Sequence, residues 1–277
     1  MRRNRSALQF FATGLDHPEG VVVGRDGTVY AGGEAGQVYR ISPDGSRVHT
    51  LGSTGGFCLG LALDREERIF ICDCKRDAVL VMDQQGHGEV FADTAEGRPF
   101  RQPNFPVFDR AGNLYVSCSG DWGRTNGFLC RISPRGEAAL FHAGPFHFAN
   151  GLALSAAEDF LYVVESTLDR VVRIPIEADG SPGPVEVFAE KLLRVPDGLA
   201  FDATGDLYVT CYASDTIYRV DASGRKSTLC RDTQAVLLNR PTNCAFAGTR
   251  MLIANLGGEH LAVLDLAVSG MPLFHQR

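Results

Sequence analysis

A short apolar segment recurs six times along the chain, and this repeat constrains the fold more than any other feature of the sequence. The second residue of each copy lies 40 to 47 positions after the second residue of the copy before it. A period near 45 residues is typical of a β-propeller blade, which is a sheet of four antiparallel strands. The six copies are PEGVVV, CLGLAL, PNFPVF, ANGLAL, PDGLAF and TNCAFA.

Each repeat unit carries the same succession of strand and turn signals. The first strand ends at a turn such as RAGN (residues 110–113), and an aromatic-rich second strand such as LYV (residues 114–116) follows. A third strand and turn, as in QVYRISPDG, and a fourth strand, as in GEVFAD, complete the unit. Runs of β-branched and aromatic residues separated by Gly, Asp and Pro are typical of strands joined by tight turns. We therefore predict an all-β fold, a six-bladed β-propeller that forms a single domain over residues 1–277.

The last unit lacks a clear fourth strand before the chain ends at Arg277. The N-terminal sequence ALQFFA (residues 7–12) resembles the fourth strands GEVFA and VEVFA of other units. We predict that residues 7–12 supply the outer strand of the sixth blade and close the ring, which removes two open sheet edges. The alternative, an open solenoid, would have capping repeats instead of complementary ends.

The composition limits the partners of the protein. The formal net charge of −6 argues against nucleic acid or an anionic membrane as the main partner. No apolar run approaches the roughly 18 residues of a membrane span, and we identify no secretory signal. The eight cysteines show no CxxC spacing, so we predict reduced thiols and a cytoplasmic protein. The expected partner is a small-molecule substrate, and the sequence carries no signal of an oligomeric state.

The first strand of every propeller blade lines the central channel, so equivalent positions in the six repeats form a ring at one depth. The second positions are polar in five of the six repeats, with Leu59 as the exception. One interpretation is a water-filled channel with polar walls. The other, which we favour, is a divalent-metal site, because two carboxylates would repel each other unless protonated or bridged by a cation. The five polar residues are Glu19, Asn104, Asn150, Asp197 and Asn243.

These residues and their surroundings resemble the senescence marker protein (regucalcin) / gluconolactonase / luciferin-regenerating-enzyme family of six-bladed propellers. The motifs HPEG, PN before an apolar strand, ANGLALS and PDGLAFD carry the resemblance. It implies that Glu19, Asn150 and Asp197 bind one divalent metal ion, with Ca²⁺ as the first choice and Zn²⁺, Mg²⁺ or Mn²⁺ as alternatives. It also implies that Asn104 contacts the substrate. The implied activity is lactone or ester hydrolysis, with the metal holding the carbonyl and Asp197 as the base.

The third repeat departs from the family pattern, because Pro103-Asn104-Phe105 stands where the family usually has Pro-Asn-Asp. A substrate-binding Arg often precedes that Asn in sugar-lactone enzymes, and Arg101, three positions before it, is our candidate. We expect a larger and more aromatic pocket than a sugar-acid lactone needs, with Phe105, Phe146 and Phe148 around it.

Two loops supply further candidates. His147, three residues before Asn150, is either a proton shuttle or substrate contact, or a solvated loop histidine. The segment CSGDWGRTNG (residues 118–127) is the longest polar excursion between strands. Its Asp121 and Trp122 form either a lid or wall over the site, or an exposed turn.

A second set of equivalent positions, three residues after the aromatic of each second strand, contains two cysteines. We interpret this set as side chains that fill a narrowing channel, in preference to a cysteine nucleophile. Rival functions are a metal-dependent lyase or isomerase, a metal-free strictosidine-synthase-like propeller, and a non-catalytic binding module. The positions of this second set are Gly33, Asp73, Cys118, Glu165, Cys211 and Asn255.

Overall fold

The computed structural model describes residues 8–277. Between those residues it has 26 strands, numbered β1 to β26 in chain order, which form six four-stranded antiparallel sheets and one two-stranded ribbon. The sheets follow one another around a ring, so the prediction of a six-bladed propeller is confirmed. Three short 3₁₀ helices, Ser166–Leu168, Tyr212–Ser214 and Phe274–Gln276, complete the secondary structure of the described chain.

The first half of the chain forms β1 and three blades. Strand β1 is Gln9–Thr13, and blade 1 contains β2 (Val21–Val23), β3 (Val29–Gly32), β4 (Gln37–Ile41) and β5 (Val48–Ser53). Blade 2 contains β6 (Cys58–Leu63), β7 (Ile69–Asp73), β8 (Ala78–Met82) and β9 (Gly88–Ala92), and the ribbon β10 (Thr94–Ala95) and β11 (Arg98–Pro99) follows it. Blade 3 contains β12 (Pro103–Phe108), β13 (Leu114–Cys118), β14 (Gly127–Ile132) and β15 (Ala138–Phe146).

The second half forms the other three blades. Blade 4 contains β16 (Ala149–Leu154), β17 (Phe160–Glu165), β18 (Arg170–Pro175) and β19 (Glu186–Ala189). Blade 5 contains β20 (Pro196–Phe201), β21 (Leu207–Cys211), β22 (Thr216–Val220) and β23 (Lys226–Arg231). Blade 6 contains β24 (Pro241–Ala247), β25 (Arg250–Asn255) and β26 (His260–Asp265).

The N-terminal strand completes blade 6. β1 pairs antiparallel with β26, with Gln9 opposite Val263 and Thr13 opposite His260, so the sheet order is β1-β26-β25-β24. This confirms the predicted closure, with the strand at Gln9–Thr13; Ala7 lies outside the described residues. The inner strands of blades 6 and 1 also meet, because the Thr242 hydroxyl donates to the Glu19 carbonyl at 2.8 Å. The ring is therefore joined at its outer and inner strands.

Blades pack face to face through apolar side chains. Many turns between strands place glycine where the backbone φ is positive. Tyr30 of blade 1 and Ile71 of blade 2, for example, belong to one buried cluster. At the turn between β12 and β13, Gly112 has φ of 85°, a conformation that glycine adopts without steric cost. The Asp109 carboxylate accepts the Asn113 backbone N–H at 2.8 Å and stabilises this turn. Each blade is thus built from local turns and held by its neighbours.

The C-terminal segment closes the end of the channel opposite Glu19, a role that sequence reasoning did not anticipate. His275 is almost fully buried, and its Nε2 lies 2.8 Å from the carbonyl oxygen of Val23, at the far end of β2. Arg277 pairs with Glu158 at 2.8 Å. Residues 271–277 and the far ends of the six inner strands enclose a mainly apolar cavity of about 90 Å³. None of the helices formed by residues 8–277 is long and apolar enough to cross a membrane.

Candidate functional site

Five polar side chains occupy the equivalent positions where the inner strands begin, at the channel end opposite the C-terminal segment. All are buried, with between 1% and 6% of each residue exposed. Several of their polar atoms have no hydrogen-bond partner in the structure: Glu19 Oε2, Asn104 Oδ1, Asn150 Oδ1, Asp197 Oδ1 and both amide atoms of Asn243. Buried polar atoms without partners cost free energy, so such a cluster calls for a cation or ordered water. The sixth equivalent position, Leu59, adds no polar atom.

The two carboxyl groups of this ring perturb each other. Burial and the negative charge of Asp197 raise the pKa of Glu19 well above its ordinary value, and the nearby Asn243 amide offsets part of this rise. Burial also raises the pKa of Asp197 to about 7, although the Asn150 amide lowers it in part. Desolvation is the main cause of both shifts, because burial disfavours the charged form of a carboxyl group. A bound cation would compensate the negative charge of both carboxylates and lower their pKa values.

The donor atoms of the ring fit a hard divalent cation. Carboxylate and amide oxygens are the ligands that Ca²⁺, Mg²⁺ and Mn²⁺ prefer. Among residues 8–277 no three His, Cys, Asp or Glu side chains cluster as metal ligands, because the ring has only two carboxylates and its other oxygens belong to amides. All five ring residues therefore offer an orphaned oxygen that suits such an ion, and Glu19, Asn150 and Asp197 are the three that the family resemblance selects.

Glycines after the ring residues let neighbouring inner strands approach closely. A Cβ on Gly20 would lie 2.2 Å from the carbonyl oxygen of Leu59, and one on Gly151 would lie 2.3 Å from the carbonyl oxygen of Asp197. Both distances are far below van der Waals contact, so only glycine fits at these positions. The PEG and NGL parts of the sequence motifs thus have a steric reason, which is the close approach of backbones around the ring.

The backbone entering the ring is held in an uncommon conformation. In four blades the residue two positions before the ring residue has a positive φ. For a β-branched residue such as Val195 this conformation is strained, and its N–H is held by the Asp169 carboxylate at 2.8 Å. Backbone strain of this kind persists only where surrounding contacts impose it. The four residues and their φ values are His17 (42°), Gln102 (49°), Phe148 (58°) and Val195 (59°).

The second set of equivalent positions does not fill the channel, so that prediction was wrong. Cys118 and Cys211 pack in apolar clusters between blades, because the second strand of a blade lies behind the inner strand. Polar members instead fix loops: Asp73 accepts the Phe57 N–H at 3.0 Å and Glu165 accepts the His147 N–H at 2.9 Å.

His147 lies on a loop that is fastened to blade 4. Its backbone N–H binds Glu165, whose other carboxylate oxygen accepts Arg170 Nε at 2.6 Å. Its half-buried ring has Nδ1 3.4 Å from the Thr125 hydroxyl. Among residues 8–277 no hydrogen bond joins His147 to a ring residue, so its catalytic role stays a prediction.

The loop of residues 118–127 and the neighbouring residue Phe148 form an exposed aromatic edge. Trp122 is 57% exposed and meets Phe148 edge to face, with ring centroids 4.8 Å apart. Arg101 Nε donates to Asp121 at 2.8 Å, which lowers the pKa of Asp121, so these two predicted substrate residues bind each other. They and Trp122 therefore lie on one loop surface.

The prediction that three phenylalanines surround the substrate pocket was wrong for two of them. Phe146 is 2% exposed and belongs to the core cluster between blades 3 and 4, and the half-buried Phe105 packs against the same cluster. Both side chains face the neighbouring blade. Of the three, Phe148 alone pairs with Trp122.

Sequence reasoning also missed a set of Ser and Thr hydroxyls that join neighbouring blades. Ser117 donates to the carbonyl oxygen of Asn150 at 2.7 Å, and Thr210 donates to that of Thr242. Each hydroxyl comes from a second strand and holds the inner strand of the next blade. The available signal was a polar Ser or Thr inside a buried strand, as in VSC and VTC.

Residues 34–254 match the family described as "SMP-30/Gluconolactonase/LRE-like region". The chain belongs to this family. Residues 6–41 also match the description "Strictosidine synthase-like, N-terminal". The resemblance stated from the sequence motifs is thereby confirmed.

Individual relatives are distant. A protein named 6-deoxy-6-sulfogluconolactonase from Pseudomonas putida is 28% identical, over 84% of this chain and 80% of its own length. Protein STRICTOSIDINE SYNTHASE-LIKE 6 from Arabidopsis thaliana is 25% identical over 74% of this chain, and the chain spans only 59% of that relative. The crystal structure of a protein described as calcium-binding regucalcin from Agrobacterium tumefaciens superimposes with a TM-score of 0.82. It is 19% identical, over 98% of each chain, so this likeness shows the fold alone.

Proposed function

We propose that this protein is a divalent-metal-dependent hydrolase that opens a lactone or related cyclic ester at the polar end of its channel. The observation that carries the proposal is the ring of buried oxygen atoms without partners, two of them from carboxyl groups with raised pKa values. Membership of a family that includes lactonases supports the reaction class. We also propose a reducing, cytoplasmic location, which the eight free cysteines support.

In this proposal Glu19, Asn150 and Asp197 hold the cation through oxygen atoms. A divalent cation held by these residues would supply Lewis-acid polarisation of an ester carbonyl. Asn104 offers an amide that can donate to or accept from the substrate and fixes the lactone beside the ring. Asp197 is assigned as the group that takes a proton from the attacking water, as the resemblance to the family implies.

The exposed aromatic edge formed by Trp122 and Phe148 favours a lactone with an apolar substituent. Trp122 and Phe148 present an exposed aromatic surface, and the Arg101 guanidinium is already engaged by Asp121. An alkyl or aromatic substituent would bury apolar area against this surface, whereas Arg101 would have to leave Asp121 to bind a substrate hydroxyl group. We therefore expect alkyl-substituted lactones to be hydrolysed better than gluconolactone.

The test combines metal content with turnover. We expect purified protein to carry one divalent ion per chain and to release protons from a lactone panel, and both properties to be lost together in Glu19→Gln and Asp197→Asn. Asp93→Asn, which changes an exposed carboxylate, is the matched control and should keep both. Bound metal without turnover of any lactone would overturn the hydrolase and leave lyase or isomerase chemistry. Folded wild-type protein that binds no divalent ion would overturn the metal site.

A further inference from the structure

A single buried hydroxyl connects two residues of the polar ring. Ser166 follows β17 in blade 4 and is 1% exposed. Its Oγ donates to the carbonyl oxygen of Pro196, in blade 5, at 2.7 Å. Asn150 Nδ2, in blade 4, donates to the same Oγ at 3.2 Å. Pro196 immediately precedes Asp197, so one side chain contacts both ligand-bearing segments.

The proton count of this arrangement fixes the orientation of the Asn150 amide. A serine hydroxyl has one proton, and Ser166 gives it to the Pro196 carbonyl, which can only accept. Toward Asn150 the Ser166 oxygen must therefore act as an acceptor, and the amide NH₂ must face it. The opposite end of the amide, Oδ1, then faces away from Ser166 and has no partner. A flipped amide would present its NH₂ group to a cation.

Other hydroxyls that join the blades lack this property. Ser119 Oγ donates to the carbonyl oxygen of Ala149 at 2.6 Å, and Thr242 Oγ1 donates to that of Glu19 at 2.8 Å. These contacts hold backbones together, but they touch no ring side chain. Ser166 makes the same kind of contact and, in addition, binds the side chain of Asn150.

We propose that Ser166 is a positioning residue for the divalent-cation site, where its hydrogen bond to the Asn150 amide selects the oxygen of Asn150 as the ligand. This inference rests on the metal site of the proposed function. Hydrogen bonds that orient ligands in this way commonly contribute 10- to 100-fold to metal affinity.

Calcium titration calorimetry on the metal-free protein tests the proposal. We expect Ser166→Ala to bind Ca²⁺ about 10- to 100-fold more weakly than wild type. Ser119→Ala is the matched control, because it also removes a buried hydroxyl that donates to the strand of Asn150. It should lose similar thermal stability and keep its calcium affinity. Ser166→Cys fills the site with a poor acceptor and should repeat the loss of affinity if Ser166→Ala does not fold.

A double-mutant cycle separates orientation from general loosening of the fold. Asn150→Asp gives the ligand two oxygens, so a flip no longer matters, and in that background Ser166→Ala should cost little further affinity. An equal loss in both backgrounds, or wild-type affinity in Ser166→Ala, would overturn the positioning role while the metal site stands. Absence of calcium binding in the wild type would overturn both proposals.

Discussion

Replacing Asp197 by asparagine should stabilise the metal-free protein above neutral pH, although it removes a proposed metal ligand. Burial raises the pKa of this carboxyl from 3.8 to about 7. The unfolded chain therefore loses the proton near pH 4, whereas the folded metal-free protein keeps it until about pH 7. Between these values the folded state binds more protons than the unfolded state, so its stability falls as the pH rises.

The size of the effect follows from the shift. A difference of about 3 pKa units, at 1.36 kcal/mol each, corresponds to about 4 kcal/mol of lost stability above pH 7. Asparagine has nearly the same shape as aspartate and cannot ionise, so the variant avoids this cost. For a chain of 277 residues the gain is roughly 7 °C in Tm. The raised pKa of Glu19 leaves part of the decline in place, because burial is its main cause.

Thermal and urea unfolding in EDTA at pH 5 and pH 8 measure this gain. We expect Asp197→Asn to resemble wild type at pH 5 more closely than at pH 8, where it should be more stable. The exposed Asp93→Asn variant should follow wild type at both values. Added Ca²⁺ should stabilise wild type and not Asp197→Asn. If Asp197→Asn is no more stable than wild type in EDTA at pH 8, the carboxyl is not desolvated as described.

Three further changes probe the surroundings of the ring. Arg170→Met leaves the charge of Glu165, which is 2% exposed, without its partner and should cost about 3 kcal/mol in urea unfolding. Gly151→Ala places a Cβ 2.3 Å from the Asp197 carbonyl oxygen and should cost about 1–3 kcal/mol and weaken calcium binding, measured by unfolding and calorimetry. Trp122→Ala should raise KM for alkyl-substituted lactones about tenfold in steady-state assays, with little change for small unsubstituted ones.

Each of these changes has an outcome that contradicts its reasoning. Unchanged stability in Arg170→Met would mean that water solvates the Glu165 carboxylate when Arg170 is absent. Normal calcium affinity in Gly151→Ala would mean that the inner strands can separate without moving the ring. An equal rise in KM for all lactones in Trp122→Ala would mean that the aromatic edge does not select substituents.

The fold could be predicted because each blade repeats the same local chemistry. Turns of the Asp-x-x-Gly kind and apolar strands recur with one period, so the register of the inner strands follows from any one of them. The N-terminal strand could be placed by its likeness to other fourth strands, and its pairing with β26 confirms this. The C-terminal segment has no counterpart in the repeat, so nothing in the sequence indicated that His275 would lie against Val23.

The candidate site likewise has a part that the repeat predicts and a part that it does not. Backbone period alone brings Glu19 and Asp197 to one depth, and sequence reasoning could find them. The rotation of the Asn150 amide depends on a hydroxyl 16 residues away in sequence, in a contact that has no periodic signal. A repeat therefore predicts which residues line the ring, and only their hydrogen-bond partners determine which atoms those residues present.

The exposed aromatic edge and the polar ring differ in how the fold positions their residues, and this difference affects substrate specificity. Ring residues stand at equivalent positions of rigid inner strands, whereas Trp122 and Phe148 come from loops that differ from blade to blade. Phe105 and Phe146, which the sequence analysis expected around the substrate pocket, instead pack in the core between blades. Changes in the loops can therefore alter the substrate without disturbing the five ring residues. Under the proposed function, the cation-binding end would stay the same while the loops set specificity, so family membership would constrain the chemistry more than the substrate.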